Sequence, residues 1–188
     1  MTRSESTKFL SRLLEKIRFS GPGKYWAREV SLDYGYAAGK PRRVDYMQFI
    51  PENQCSISAI EKGIFTCYEI KSCKEDIYSG NGLNFIGEKN YLVTTMECYK
   101  EILPDLKNGK FAKHIRENFP ECYAEIGNMG VMVAVPYQRE VAEEFENSTP
   151  LDGDVEKWKL SVAIKCNHNG SRKRSMTELL FCMVRSGR

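Results

Sequence analysis

The sequence is poor in the residues from which many sites are built. It has only two histidines in 188 residues, His114 and His168, and neither stands in a recognisable acid–base arrangement. Its seven cysteines are odd in number, scattered and without a Cys-x-x-Cys pair, which speaks against a disulfide framework and for reduced thiols in a cytosolic protein. Cys166-x-His168 has no second short-spaced pair to complete a tetrahedral set, so a zinc reading is rejected. No stretch approaches the roughly 18 apolar residues of a membrane-spanning helix. The polar opening Met1-Thr2-Arg3-Ser4-Glu5-Ser6 leads into no uninterrupted apolar segment, so neither a membrane anchor nor a secretory signal is expected and the location expected is cytoplasmic. The glycines near residues 80–87 lack the Gly-Lys-Ser/Thr ending of a nucleotide-binding P-loop.

What is present is ordinary for a globular chain: 41% hydrophobic and 28% charged residues, at a length that suits one domain over residues 1–188. A formal net charge of +3 is too small to identify a nucleic-acid binder by itself. Placement says more. Lys40, Arg42 and Arg43 precede one predicted strand, Lys74 follows another, and Arg172-Lys173-Arg174 form the densest basic cluster; all seven are candidates for contact with a polyanion. The cluster also precedes a predicted last helix with an apolar stripe of Met176, Leu179, Leu180, Met183 and Val184, where positive charge opposes the helix dipole and a phosphate would relieve it.

The periodicity predicts an amphipathic helix over 6–18 and strands over 25–34 and 43–50, separated by a glycine- and proline-punctuated turn at 34–41. Further strands are expected at 90–94, 131–135 and 158–166, with helices over 96–103, stopped by Pro104, over 110–118, and as a surface helix in the acidic stretch after Tyr137. Ser72 with Glu75, and Thr94 with Glu97, have the spacing of capping boxes. The order implies an α/β fold with a mixed sheet flanked by helices.

The chemistry is expected at Cys67-Tyr68-Glu69-Ile70-Lys71-Ser72. In an extended strand Glu69 and Lys71 share one face while Tyr68 and Ile70 point to the other. If this strand pairs with Arg43–Ile50 as a hairpin, Asp45, the only acid of that strand, converges on Glu69 from a solvent-reaching face. Two carboxylates side by side suit Mg²⁺ or Mn²⁺, and Lys71 can orient or help deprotonate a water for attack on a phosphodiester.

An acid, a loop and then Glu-x-Lys in a strand resembles the PD-(D/E)XK nuclease superfamily at Asp45, Glu69, Ile70 and Lys71, and the order of these elements is similar to that of MmcB-like DNA-repair proteins and related phage-borne nuclease-like proteins. The resemblance spans roughly residues 25–137, with weaker similarity in the last helix. It implies a restriction-endonuclease-like core, a catalytic set of Asp45, Glu69 and Lys71, and a metal site at Asp45, Glu69 and Ile70 supplemented by Glu15 from the first helix. Glu29 could reach the same site from the first strand. Two functions stay open: a divalent-metal-dependent deoxyribonuclease in DNA repair or phage DNA processing, or a catalytically idle protein of the same fold that binds nucleic acid or a protein partner.

Overall fold

Thr2 starts the first helix by the mechanism its sequence allows. Its hydroxyl accepts from the Glu5 amide at 3.3 Å and the Glu5 carboxylate accepts from the Thr2 amide at 2.7 Å, so two otherwise orphaned end amides are satisfied reciprocally. Helix α1 runs Arg3–Leu14 and continues as a π-helical turn, Glu15–Phe19. Phe9, Leu10, Leu13 and Leu14 are fully buried, each contributing roughly 1.5–3 kcal/mol by leaving water. The computed structural model describes residues 1–33, 42–53, 56–119, 129–167, 172 and 174–186; the turn expected at 34–41, and with it Lys40, lies outside them, as do His168 and Lys173.

Six strands follow: β1 (Tyr25–Ser31), β2 (Arg43–Ile50), β3 (Ile64–Lys71), β4 (Lys89–Thr94), β5 (Gly130–Pro136) and β6 (Trp158–Ile164). They form one sheet in sequence order, with β1, β2 and β3 an antiparallel meander, β3, β4 and β5 parallel, and β6 antiparallel to β5. The helices between and after them are α2 (Ile57–Glu61), α3 (Lys74–Ile77), α4 (Met96–Lys107), α5 (Lys110–Asn118), α6 (Val141–Glu146) and α7 (Met176–Ser186). No described helix is long and apolar enough to cross a membrane.

The sheet has two unlike faces. On one, α1 and its π-helical turn pack Phe9, Leu13 and Phe19 against Tyr46, Tyr68, Ile70 and Val93. On the other, Met47, Phe49, Phe65, Cys67 and Leu92 meet residues from the β3–β4 connection, α4, α5 and α7. The sharing of a face by Met47, Phe49, Phe65 and Cys67 is the alternation expected of the hairpin. It breaks farther along. Ala27 and Val30, and likewise Val44 and Met47, lie in the same layer although each pair is three residues apart. Between them stand Glu29, whose φ of 55° is left-handed, and Asp45, so both strands change the face they present at this point.

Several local expectations are corrected. Ser72 does not cap α3: the cap position is Cys73, without a side-chain bond, and the Ser72 hydroxyl instead pairs with Thr7 Oγ1 at 3.0 Å and donates to the Arg3 carbonyl at 3.3 Å. Thr95, not Thr94, caps α4 by accepting from the Cys98 amide at 3.1 Å. Helix α4 continues past Pro104 to Lys107, because a proline late in a helix forfeits one amide bond and the turn after it still closes through Asn108 N to Pro104 O at 2.9 Å. In the connection between β2 and β3, α2 forms on the Ser56 hydroxyl, which accepts from the Ala59 amide at 3.1 Å.

Candidate functional site

The ladder between β2 and β3 runs as far as Tyr46 opposite Tyr68; no pairing follows it. Beyond that point a side chain takes over: Asp45 Oδ2 accepts from the Ile70 amide at 2.8 Å. Burial, the largest cause, raises the Asp45 pKa, helped by the Glu29 charge and opposed by the Ile70 amide and Lys71.

Glu69 occupies the same end of β3 and is fully buried. Its Oε1 accepts from the Asn84 amide at 3.0 Å, whereas its Oε2 has no hydrogen-bond partner. Burial first, and the Asp45 charge second, hold its carboxyl well above the ordinary range. Lys71, also buried, donates from Nζ to the Asn81 carbonyl at 2.8 Å and lies 3.9 Å from Asp76 Oδ1. Gly82 marks where these groups meet. A Cβ at that position would stand 2.9 Å from Lys71 Nζ and 3.2 Å from Glu69 Oε2, and the φ of +76° is itself suited to glycine. Glu69 and Lys71 therefore meet against Gly82, packed closely enough that a side chain at residue 82 would clash with them, and Asp45 is near enough for its charge to act on Glu69.

The expectation that both acids face solvent is wrong for Glu69. The connection between β3 and β4 folds back over this end of β3, and its Leu83, Phe85 and Ile86 are fully buried. Asn84 anchors the fold-back, donating from Nδ2 to the Arg43 carbonyl of β2 at 2.9 Å. On the β4 side, Thr94 Oγ1 donates to the Lys71 carbonyl at 2.5 Å.

The supplementary acids do not join this group. Glu15 accepts from the Tyr46 hydroxyl at 2.6 Å, and Tyr46 belongs to the opposite layer of the sheet. Glu29 is close enough for its charge to act on Asp45, but its carboxylate pairs with Arg43 at 2.6 Å at the surface. Ile70 sends its side chain to the α1 layer and can offer only main-chain atoms here. Among the described residues no group of three His, Cys, Asp or Glu side chains is placed to hold a metal ion, so any ion would rest on two carboxylates and main chain.

Each of the described candidate cations has an acidic partner. Arg42 pairs with Asp33 at 2.8 Å, Arg43 with Glu29, and Lys74 with Asp105 at 2.8 Å. Arg172 pairs with Glu88 at 3.0 Å and lies over the Phe65 ring. Arg174 bridges Asp33 at 2.9 Å and Glu178 at 2.7 Å, so the opposed dipole of α7 is met by an acid in its own first turn. Lys74 opens α3, a helix of four residues, with its amine turned to Asp105.

Sequence reasoning missed Asn81, Gly82 and Asn84. Their signal was the spacing of Gly80, Gly82 and Gly87, which announces unusual backbone angles without saying what lies beneath them. In comparisons with known proteins, no family model, no curated protein and no solved structure matches this chain.

Proposed function

We propose that the chain is a metal-dependent nuclease of the PD-(D/E)XK kind, with a restriction-endonuclease-like core, hydrolysing DNA phosphodiester bonds in the cytoplasm. The observation that carries this reading is the second oxygen of Glu69: it is withdrawn from water, has no donor, and lies beside another acid and against a glycine. Such an oxygen needs a proton or a cation to neutralise it. Asp45, Glu69 and the main chain of Ile70 would hold Mg²⁺ or Mn²⁺, hard cations that accept one or two protein carboxylates and leave other positions to water and phosphate. When bound, the ion lowers the pKa of a water and stabilises charge on the phosphoryl oxygens.

Lys71, held by the Asn81 carbonyl, would supply positive charge toward a water and a phosphate at this site. Because burial and the Asp45 charge favour the protonated Glu69 carboxyl, an ion held there would compete with a proton and its affinity would rise with pH. Asn81 and Gly82 stand against Lys71 and Glu69 and would have to move off them for substrate to reach the acids.

The idle alternative, a protein of this fold that binds nucleic acid or a partner without cutting, is favoured by one observation: Glu69 and Lys71 are closed over, and neither lines the cavity of about 830 Å³ beside Phe19 or the one of about 840 Å³ beside α1. A cleavage assay on single-stranded, nicked and duplex DNA with Mg²⁺, Mn²⁺ or chelator separates the readings. Cutting that requires metal and disappears in Glu69→Gln supports the nuclease; metal-independent DNA retention without product supports the idle form.

A further inference from the structure

We propose that Asn84 is a positioning residue that sets the separation of Asp45 and Glu69 and leaves one oxygen of Glu69 open to a divalent cation; the inference rests on the metal-dependent reading above. Regular sheet pairing cannot set that separation, because the β2–β3 ladder ends at Tyr46 and Tyr68, before either acid. Two contacts cross the diverging strands instead. One is the Asp45 carboxylate on the Ile70 amide. The other is Asn84, which touches both strands at once: its side-chain Nδ2 donates to the Arg43 carbonyl on β2, two residues before Asp45, and its main-chain amide donates to Glu69 Oε1 on β3.

An asparagine suits this position because its short amide reaches a carbonyl while its own backbone N–H stays free for a carboxylate. Asn84 is itself buried, and Leu83 before it is held at φ 65°, a left-handed conformation that side chains disfavour. The chain is thus fixed at an unfavourable angle where the amide meets Glu69. Fixing Oε1 from that side leaves Oε2 as the oxygen without a donor, facing Gly82. Without the tie to Arg43, residue 84 and the Glu69 oxygen it holds would be free to drift from Asp45, and two oxygens that ligate one ion would no longer be held at a fixed spacing.

The test measures Mn²⁺ binding by titration calorimetry on the full chain stripped with chelator, beside thermal midpoints without metal. Asn84→Ala is compared with Asn90→Ala, which removes buried bonds to Gly87 in the same connection, 2.8 and 3.1 Å long, without touching either acid. Both variants should melt earlier. Only Asn84→Ala should weaken Mn²⁺ binding, by about 10–100-fold as is usual for groups that orient a ligand. Equal Mn²⁺ affinity in Asn84→Ala and wild type, or an equal loss in Asn90→Ala, would overturn the positioning role while leaving the metal reading in place. Wild-type protein that binds no Mn²⁺ would remove the metal reading and this inference with it. Asn84→Gln, which keeps the amide but displaces it by a methylene, is read in the same way where the alanine variant does not fold.

Discussion

Among the described residues two glutamates are completely withdrawn from solvent, Glu69 and Glu144, and their surroundings differ in kind. Glu144, in α6, is complete: one oxygen takes Arg139 at 2.9 Å and the Thr149 hydroxyl at 3.0 Å, and the other takes the Thr149 amide. Glu69 meets only main-chain amides, of Asn84 and Leu83, and has an orphan oxygen and a neighbouring acid. A buried carboxylate that meets a guanidinium and hydrogen bonds is held by its own fold, whereas one buried beside another carboxylate weakens the fold and is retained for some other reason. The difference separates a structural acid from a functional candidate more sharply than burial does.

The widest gap between the two should appear in cleavage. Glu69→Ala and Asp45→Ala should each lower metal-dependent cutting by at least about 10³-fold, roughly 4 kcal/mol of transition-state stabilisation, while Glu144→Ala should cut at the wild-type rate per folded molecule. Initial rates on nicked duplex with Mn²⁺, normalised to folded protein, check this. Equal rates in Glu69→Ala and wild type would show that the site is misplaced.

Stability should reverse the order. Glu144→Ala takes the carboxylate from both Thr149 donors and from Arg139, which keeps the Thr149 hydroxyl and the Glu143 carbonyl as acceptors, and should cost about 2–3 kcal/mol, discounted from a wholly buried pair because Arg139 reaches water. Urea midpoints with chelator present give the number. A loss from Glu69→Gln as large as that from Glu144→Ala would erase the contrast.

How far this contrast was legible in the sequence depends on the range of the contacts. The β3 alternation placed Glu69 and Lys71 on one face, and the composition of β2 singled out Asp45, because a two-residue period is local. The mixed sheet and α1 were legible for the same reason. The burial of Glu69 was not: it depends on a connection returning from residues 83–86 and on Asn84 reaching a main-chain carbonyl 41 residues away. The partners of the cations were equally hidden, since Asp33 is drawn to Arg174 across 141 residues. The capping boxes failed because Ser72 and Thr94 found tertiary partners in Thr7 and Lys71.

A pH series tests the electrostatic half of the comparison. The Glu69 carboxyl is raised in the folded protein, so between its unfolded and folded pKa values the native state holds a proton that the unfolded chain has lost. Its contribution to stability is therefore fully present below the ordinary glutamate range and is lost as pH rises through the raised value. Glu69→Gln cannot ionise, so its advantage over wild type should grow from about pH 5 upward, by at most about 1.4 kcal/mol per pH unit. Mn²⁺ should reduce the advantage by stabilising the ionised wild-type site. Parallel pH profiles without metal would mean that Glu69 ionises freely.

The same distinction between complete and incomplete groups applies to the cations, with a smaller expected effect. Arg174 is complete, bridging Asp33 and Glu178, so Arg174→Ala should cost about 1 kcal/mol of stability and leave the salt dependence of DNA binding unchanged. Lys8 and Arg28 are exposed, have no ion-pair partner among the described residues, and line a cavity of about 840 Å³ that includes Glu29, the acid whose charge reaches Asp45. A cation that holds no acid is the one able to displace counterions from a phosphate. The double change Lys8→Ala and Arg28→Ala should therefore flatten the plot of log affinity against log salt by about 0.7 per lost contact on single strands, at little cost in stability. Fluorescence anisotropy across a salt series, with chelator to suppress cutting, measures both slopes. If Arg174→Ala flattens the slope and the double change does not, DNA binding depends on opening the Asp33 bridge and the path must be sought beside α7, away from the cavity that Lys8 and Arg28 line.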